Sequence, residues 1–225
     1  MPYVRKRKYP YRTSRYRRST PKFKRYRGLI PTYRGFAGPQ QLKAEWKYVD
    51  VSATNVTPSP DGGNPVLLTP VAQGNSVNQR IGLRITIRSI EIRFAVSQKP
   101  ATLPGFFRIS IVQDRQCNGE LASYQTVYTY TNTVTLRNLG QRKRFKIIRD
   151  KVYPVQLHDT GNNVFMPHWY IKFKRPFTVE YNGGTSDQAS AIASNNLILY
   201  FIGSWAQADT TPSVTFLNRI RYTDV

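Results

Sequence analysis

The residues with the clearest chemical capacity stand at the start of the chain. Between positions 1 and 36 there are thirteen cations: Arg5, Lys6, Arg7, Lys8, Arg12, Arg15, Arg17, Arg18, Lys22, Lys24, Arg25, Arg27 and Arg34. No Asp or Glu accompanies them, and the first acid of the chain is Glu45. Tyr9, Tyr11, Tyr16 and Tyr26 are interleaved with the cations, and Tyr3, Phe23, Tyr33 and Phe36 add further rings. Lys and Arg neutralise phosphates and release condensed counterions, which supplies salt-sensitive affinity with little sequence preference. Exposed aromatic rings let unpaired bases stack, at roughly 1–3 kcal/mol per base, whereas a duplex hides its base faces. The chemistry is therefore binding, and its target is a single-stranded polyanion.

Like charges repel, and no aliphatic run here offsets the entropy of ordering the backbone. Pro2, Pro10, Pro21 and Pro31 also rule out a long helix. Residues 1–43 are accordingly expected to be a disordered arm when free, ordered by nucleic acid. Three blander readings compete. A transit peptide is also Arg-rich and acid-poor but needs an amphipathic helical pattern. A polybasic membrane segment needs a second anchor, and neither an acyl motif nor an amphipathic helix supplies one. A solvating tail would mix both signs of charge. Arg5-Lys6-Arg7-Lys8 can also be read by nuclear import machinery, a weak signal in so basic a stretch. No membrane partner is expected.

Catalysis has little support. His158 stands beside Asp159, yet the chain has only two histidines and no nucleophile elbow, phosphate loop or zinc-ligand spacing. Cys117 is the sole cysteine and reads as incidental rather than nucleophilic. Asp114, Asp159 and Asp187 could hold a structural cation through hard oxygen ligands, but no ligand spacing favours it. The expectation is a non-enzyme with no catalytic residues, no metal and no cofactor. Trp46, Trp169 and Trp205 are expected as core or subunit-contact anchors rather than base platforms.

The arm must be carried by something, and beyond residue 44 the composition changes. The last 181 residues hold twenty basic and twelve acidic side chains, so only +8 of the net +22 belongs to them. That length supports one domain with a proper core. A single cysteine excludes an internal disulfide framework and fits a reducing compartment. The Asn55-Val56-Thr57 sequon then goes unread. No stretch is long and apolar enough for a transmembrane span, and none follows the basic start as a secretory signal would.

Short runs rich in Val, Ile, Thr, Tyr and Phe, separated by Gly, Pro, Asn and Asp, predict β-structure throughout. Strands are expected over 44–56, 83–97, 105–114, about 133–139, 142–155, 168–181, 196–207 and 213–223. In 83–97 the apolar phase moves from Leu83, Ile85 and Ile87 to Ile90, Ile92, Phe94 and Val96. A one-residue slip of that kind predicts a β-bulge near Arg88–Ser89. The run 196–207 is apolar on both faces, as in a strand covered on both sides. The best helical stretch, 186–193, is under three turns. Eight strands with loops of unequal length in one domain predict a jelly roll of two four-stranded antiparallel sheets over 44–225.

An Arg/Tyr-rich arm before such a domain resembles the capsid proteins of small circular single-stranded DNA viruses, the circovirus-like group. The stretches carrying the likeness are 68–96, LTPVAQGNSVNQRIGLRITIRSIEIRFAV, and 142–155, RKRFKIIRDKVYPV. The first also resembles satellite plant virus coats. The resemblance implies a jelly roll of strands B to I in BIDG and CHEF sheets, the eight runs above being lettered in order. It implies self-assembly of roughly sixty copies into an icosahedral shell with arms inward on a DNA genome. Sixty such arms would bring about 780 charges, enough for most of a strand on the order of 10³ nucleotides. It further implies a virion location, with passage through the host nucleus. RNA and DNA single strands look alike to Tyr and Arg, so the residues themselves do not choose between them.

With D, G and I in one sheet, as the resemblance implies, Arg108, Lys172, Lys174, Arg219 and Arg221 would form a basic stripe under the shell. Charged residues on a strand's solvent face are also ordinary. Two other classes remain: a cellular single-stranded nucleic-acid-binding protein with a basic tail on a monomeric β-barrel, and a nucleic-acid enzyme. An OB barrel has five strands, against the count here, and the enzyme lacks its acid or histidine cluster.

Overall fold

The structure, a computed structural model, describes residues 45–63, 65–98, 103–155, 164–205 and 211–224. These all lie in the unit Lys43–Val225. The expected disorder of 1–43, its candidate cations and rings, and His158 and Asp159 lie outside the described residues. Among those described, no helix is long and apolar enough to cross a membrane.

The strands are β1 (Lys47–Val56), β2 (Val66–Leu67), β3 (Arg84–Ser97), β4 (Gly105–Asp114), β5 (Phe145–Val155), β6 (Val164–Phe165), β7 (His168–Tyr181), β8 (Ile192–Ser194), β9 (Asn196–Gly203) and β10 (Ser213–Asp224). One short helix, α1 (Tyr124–Val127), interrupts them. One sheet runs β1-β10-β3-β7, with β8 beside β7 and β6 paired to the end of β3. The other runs β2-β9-β4-β5, and every pairing in both is antiparallel. Lettered as a jelly roll, these paths are BIDG and CHEF. The fold expected from the sequence is therefore present.

Its internal lettering needs correction. The strand at 84–97 lies between β10 and β7, so it is D rather than C, and 105–114 is E rather than D. Strand C is β2, two residues long, in a stretch that carries no readable alternation. The strand expected at about 133–139 is a loop, whose pairing with its surroundings is an isolated bridge between Tyr128 and Arg137 rather than a ladder. Its alternation is real but inverted: Val134 and Leu136 are exposed while Thr133 and Thr135 are buried. The helical stretch in 186–193 amounts to a 3₁₀ turn at Ala189–Ala191.

The main core lies between the sheets. Ile85, Ile87, Ile90, Ile92, Phe94 and Val96 of β3 meet Phe107, Ile109 and Ile111 of β4 and Leu197, Leu199 and Phe201 of β9. Trp169 and Trp205 belong to this core, as expected, each donating its indole N–H, to the Tyr153 hydroxyl at 2.9 Å and the Leu103 carbonyl at 2.8 Å. A second cluster sits on the outer side of the CHEF sheet. There Ile198, Tyr200 and Ile202 of β9 and Val112 of β4 pack against Ala122, Tyr124, Val127 and Tyr128. All eight residues of β9 are buried, because residues 115–144 cover the face that a two-layer sandwich would leave wet.

The expected bulge is where the phase slip put it. On one side β3 pairs Ile87 with Tyr222 and Ser89 with Arg221, skipping Arg88. On the other, Ile87 pairs with Phe177 and Ser89 with Lys172, so Phe173, Lys174, Arg175 and Pro176 bow out opposite Arg88 alone. Pro176 has no N–H to lose from the ladder, as suits a residue outside the pairing.

Candidate nucleic-acid interface

The outer face of the BIDG sheet collects most of the cations that strand alternation turns away from the core. Two cross-strand rows define it. Tyr48, Arg221, Ser89 and Lys172 stand side by side in β1, β10, β3 and β7, and Asp50, Arg219, Glu91 and Tyr170 form the next row. Because the side-chain period of a strand is two, the odd-numbered β10 cations and even-numbered β7 cations share this face. Lys172, Lys174, Arg219 and Arg221 are thus brought together as expected.

Arg108 is not among them. It lies on β4 in the other sheet, 6% exposed. Its Nε and Nη2 donate to both Asp150 oxygens at 2.8 and 2.5 Å, while Nη1 donates to the Tyr124 hydroxyl and to the Thr133 and Thr135 carbonyls. Its guanidinium also lies 4.4 Å from the Tyr128 ring centre. Burial acts to lower its pKa, and the Asp150 hydrogen bonds and charge outweigh it, so the net direction is upward. Arg108 is a structural cation beneath the 115–144 cover. The expected basic stripe lacks Arg108 because its strand, β4, belongs to the CHEF sheet.

The stripe itself carries anions that the alternation argument did not weigh. Arg219 grips Asp50 through two hydrogen bonds of 2.7 and 2.6 Å and lies 4.8 Å from the Tyr48 ring centre. The Asp50 hydrogen bonds hold the Arg219 pKa above its ordinary value. Glu91 accepts from Arg221 at 3.0 Å and from Arg93 at 3.2 Å, with His168 Nε2 3.5 Å away. The hydrogen bond from Arg221 lowers the Glu91 pKa, with burial opposing and Arg93 assisting. Exposed pairs of this kind are worth about 0–1 kcal/mol, so a phosphate can compete for the same guanidinium. Lys172 and Lys174 make no ion pair among the described residues.

Several residues on this face were missed or misplaced by sequence reasoning. Trp46, expected in the core or at a subunit contact, is 62% exposed and so lies outside the core, and Tyr170 is 56% exposed. The signal for Trp46 was parity: it shares its phase with Tyr48 and Asp50, whereas Val49 and Val51 point inward. Arg93 and Arg88 also belong to the cation set. Arg80, within the 68–96 stretch, is fully buried without a carboxylate. Its guanidinium donates to the Val71, Gly82 and Gly184 carbonyls at 3.2, 2.8 and 2.8 Å and sits 4.3 Å from the Tyr181 ring centre. It ties the loop after β2 to the turn after β7.

The other singled-out groups are occupied. Asp114 is fully buried and accepts from Arg144 at 2.9 and 2.8 Å and from the Gln116 N–H at 3.0 Å. Asp187 accepts from the Gln188 side chain at 3.0 Å. Among the described residues, no three His, Cys, Asp or Glu side chains are grouped to hold a metal. Burial pushes the Cys117 thiol up, away from the reactive thiolate.

No family model matches the chain, and no curated protein does. Among solved structures, the chain is similar to one of Desmodium yellow mottle tymovirus, at 10% identity, covering 80% of this chain and 88% of that one, with a TM-score of 0.33. It is also similar to the VP2 subviral particle of infectious bursal disease virus, at 10% identity over 81% of this chain and 37% of that one, with a TM-score of 0.22.

Proposed function

We propose that this chain is a viral coat subunit. Residues 44–225 form a shell domain that assembles with copies of itself, and residues 1–43 package single-stranded nucleic acid. The observation that carries the reading is a separation of labour within one chain. Fourteen cations without an acid precede Glu45, and the residues after them fold as a jelly roll whose strands make up nearly all of its regular secondary structure. A polyelectrolyte arm supplies packaging affinity, and a rigid sandwich supplies repeatable contacts.

Self-association has a surface to use. Tyr130, Val134, Leu136 and Leu139 are each at least 67% exposed, although they sit on the ordered segment that covers the CHEF sheet. Large exposed apolar groups on ordered structure are typical of interaction sites. The choice of a DNA genome follows the resemblance of 68–96 and 142–155 to circovirus-like capsid proteins. A virion location, passage through the host nucleus and an import receptor reading Arg5-Lys6-Arg7-Lys8 belong to the same proposal.

The test is light scattering with a 260/280 nm absorbance ratio, on the full chain and on a form lacking residues 1–36. The expected result is a particle near 1.5 MDa, about sixty times the 25.9 kDa chain, which loses nucleic acid on truncation. A monomer or dimer at every salt and pH refutes the coat reading in favour of a cellular binding protein.

A further inference from the structure

Among the described residues, hollows of differing chemistry open on the outer face of the BIDG sheet. One, between Glu91, Arg93, Leu217 and Arg219, contains a carboxylate already engaged by arginines. A second, around Phe94, Met166, Phe216 and Leu217, has Arg93 as its only charged lining residue. The third encloses about 410 Å³ and is lined by Trp46, Arg88, Ser89, Tyr170, Lys172, Phe173, Lys174 and Pro176. It brings three cations and two exposed aromatic rings together with no acid.

This hollow is a product of the bulge. Residues 173–176 bow out of β7 opposite Arg88, which opens the face between β3 and β7. Arg88 itself is only partly satisfied there. Its Nη2 reaches the Thr223 hydroxyl at 3.4 Å, but its buried Nε has no hydrogen-bond partner among the described residues. A buried guanidinium N–H without a partner is costly, and the same side chain lines the hollow. Bulges are often used in this way, to aim a side chain and interrupt pairing beside a binding site.

Resting on the reading of this chain as one that packages single-stranded nucleic acid, we propose that the hollow is a base-binding subsite for single strands. One unpaired base stacks on Trp46 or Tyr170, and the flanking phosphates are held by Arg88, Lys172 and Lys174. The volume falls in the range of small-molecule sites. Charge selects an anionic occupant, because the lining holds three cations and no acid. The exposed rings select a planar partner over a bare anion, since every base offers a face to stack.

The experiment uses the full chain and two probes of equal length, oligothymidylate and an abasic oligodeoxynucleotide, at several salt concentrations. The expected result is tighter binding of the thymidylate strand, with a preference of fivefold or more, in line with a stacking energy of roughly 1–3 kcal/mol per base. Trp46→Ala or Tyr170→Ala should remove part of that preference without changing the abasic affinity, and Tyr170→Phe should restore it. Both rings are exposed, so folding should survive. Ultraviolet cross-linking of a bromodeoxyuridine strand should label the Trp46 or Tyr170 peptide. A preference untouched by both substitutions, with cross-links only elsewhere, overturns the subsite and leaves the packaging arm standing. Loss of particles with the base preference intact would mark the hollow as a subunit contact and also overturn it. Failure to bind either strand at low salt would instead remove the parent reading.

Discussion

The outer faces of the two sheets use the same side chains for opposite ends. On the CHEF face, Arg108 and Asp150 meet beneath residues 115–144, and Arg144 holds a fully buried Asp114. On the BIDG face, Arg219 and Asp50 make a fork of similar geometry in water, with side-chain exposures of 44% and 35%. Bidentate geometry alone therefore says little about role. Under cover, each charge is committed to its partner, because the alternative is an uncompensated ion in a medium that solvates it poorly. In water the alternative is hydration, which costs almost nothing, so the guanidinium stays exchangeable.

The sharpest way to break this contrast is to remove one partner from each face. Asp150→Ala strands Arg108 among Tyr124, Tyr128 and two carbonyls, and should cost about 3–5 kcal/mol in urea unfolding. Asp50→Ala on the open face should cost less than about 1 kcal/mol. Equal losses would show that cover does not decide the matter.

Alkali should act on the buried tyrosines, Tyr128 on the covered face and Tyr181 and Tyr222 in the main core, rather than on the open face. Burial pushes the Tyr128 hydroxyl up to about 12, with the Asp150 charge adding to the shift. Its folded pKa is above the unfolded value of 10.0, so the associated stability is complete below pH 10. It is lost as pH rises towards 12, at up to about 1.4 kcal/mol per pH unit for this group. Thermal unfolding followed from pH 8 to 12 should decline above pH 10, and a flat profile would contradict the burial. Acid should act on the open face. The Glu91 pKa is lowered, so its pairing with Arg221 is complete above the ordinary value of 4.5 and lost as pH falls through the folded one. Protonation should free Arg221 and Arg93, and single-strand affinity at constant ionic strength should rise as pH falls from 4.5 through the lowered folded value.

The smallest effects concern salt. Lys172→Gln or Lys174→Gln should each flatten the slope of log affinity against log salt by roughly 0.7, the single-strand value per phosphate contact. Asp50→Asn should steepen it by about the same amount by releasing Arg219. Arg108→Gln, if it folds, should leave the slope unchanged.

Much of the fold is legible from alternation. The strands 105–114 and 168–181 lie at the expected residues, and the bulge at Arg88 follows from a single slip of apolar phase. What escaped were β2, β6 and β8, since two or three residues have no period to detect. The run 133–139 misled because its threonines, not its Val134 and Leu136, turn inward, offering carbonyls to Arg108. The missed β2 and one spurious strand then shifted the lettering between them. That shift is why Arg108 was grouped with the β7 and β10 cations.

The character of residues 1–43 is a matter of sequence alone, because charge and ring content act whatever conformation the chain takes. So is the side of its strand on which each residue of 84–97 or 213–224 emerges, because backbone geometry sets that period. The fate of each arginine was decided only by tertiary structure. Alternation turns Arg108 and Arg219 equally away from the main core, but it cannot tell whether a distant segment will return to cover that face. Residues 115–144 fold over one sheet, and the described residues leave the other open. A local period has no information about a contact made across the chain.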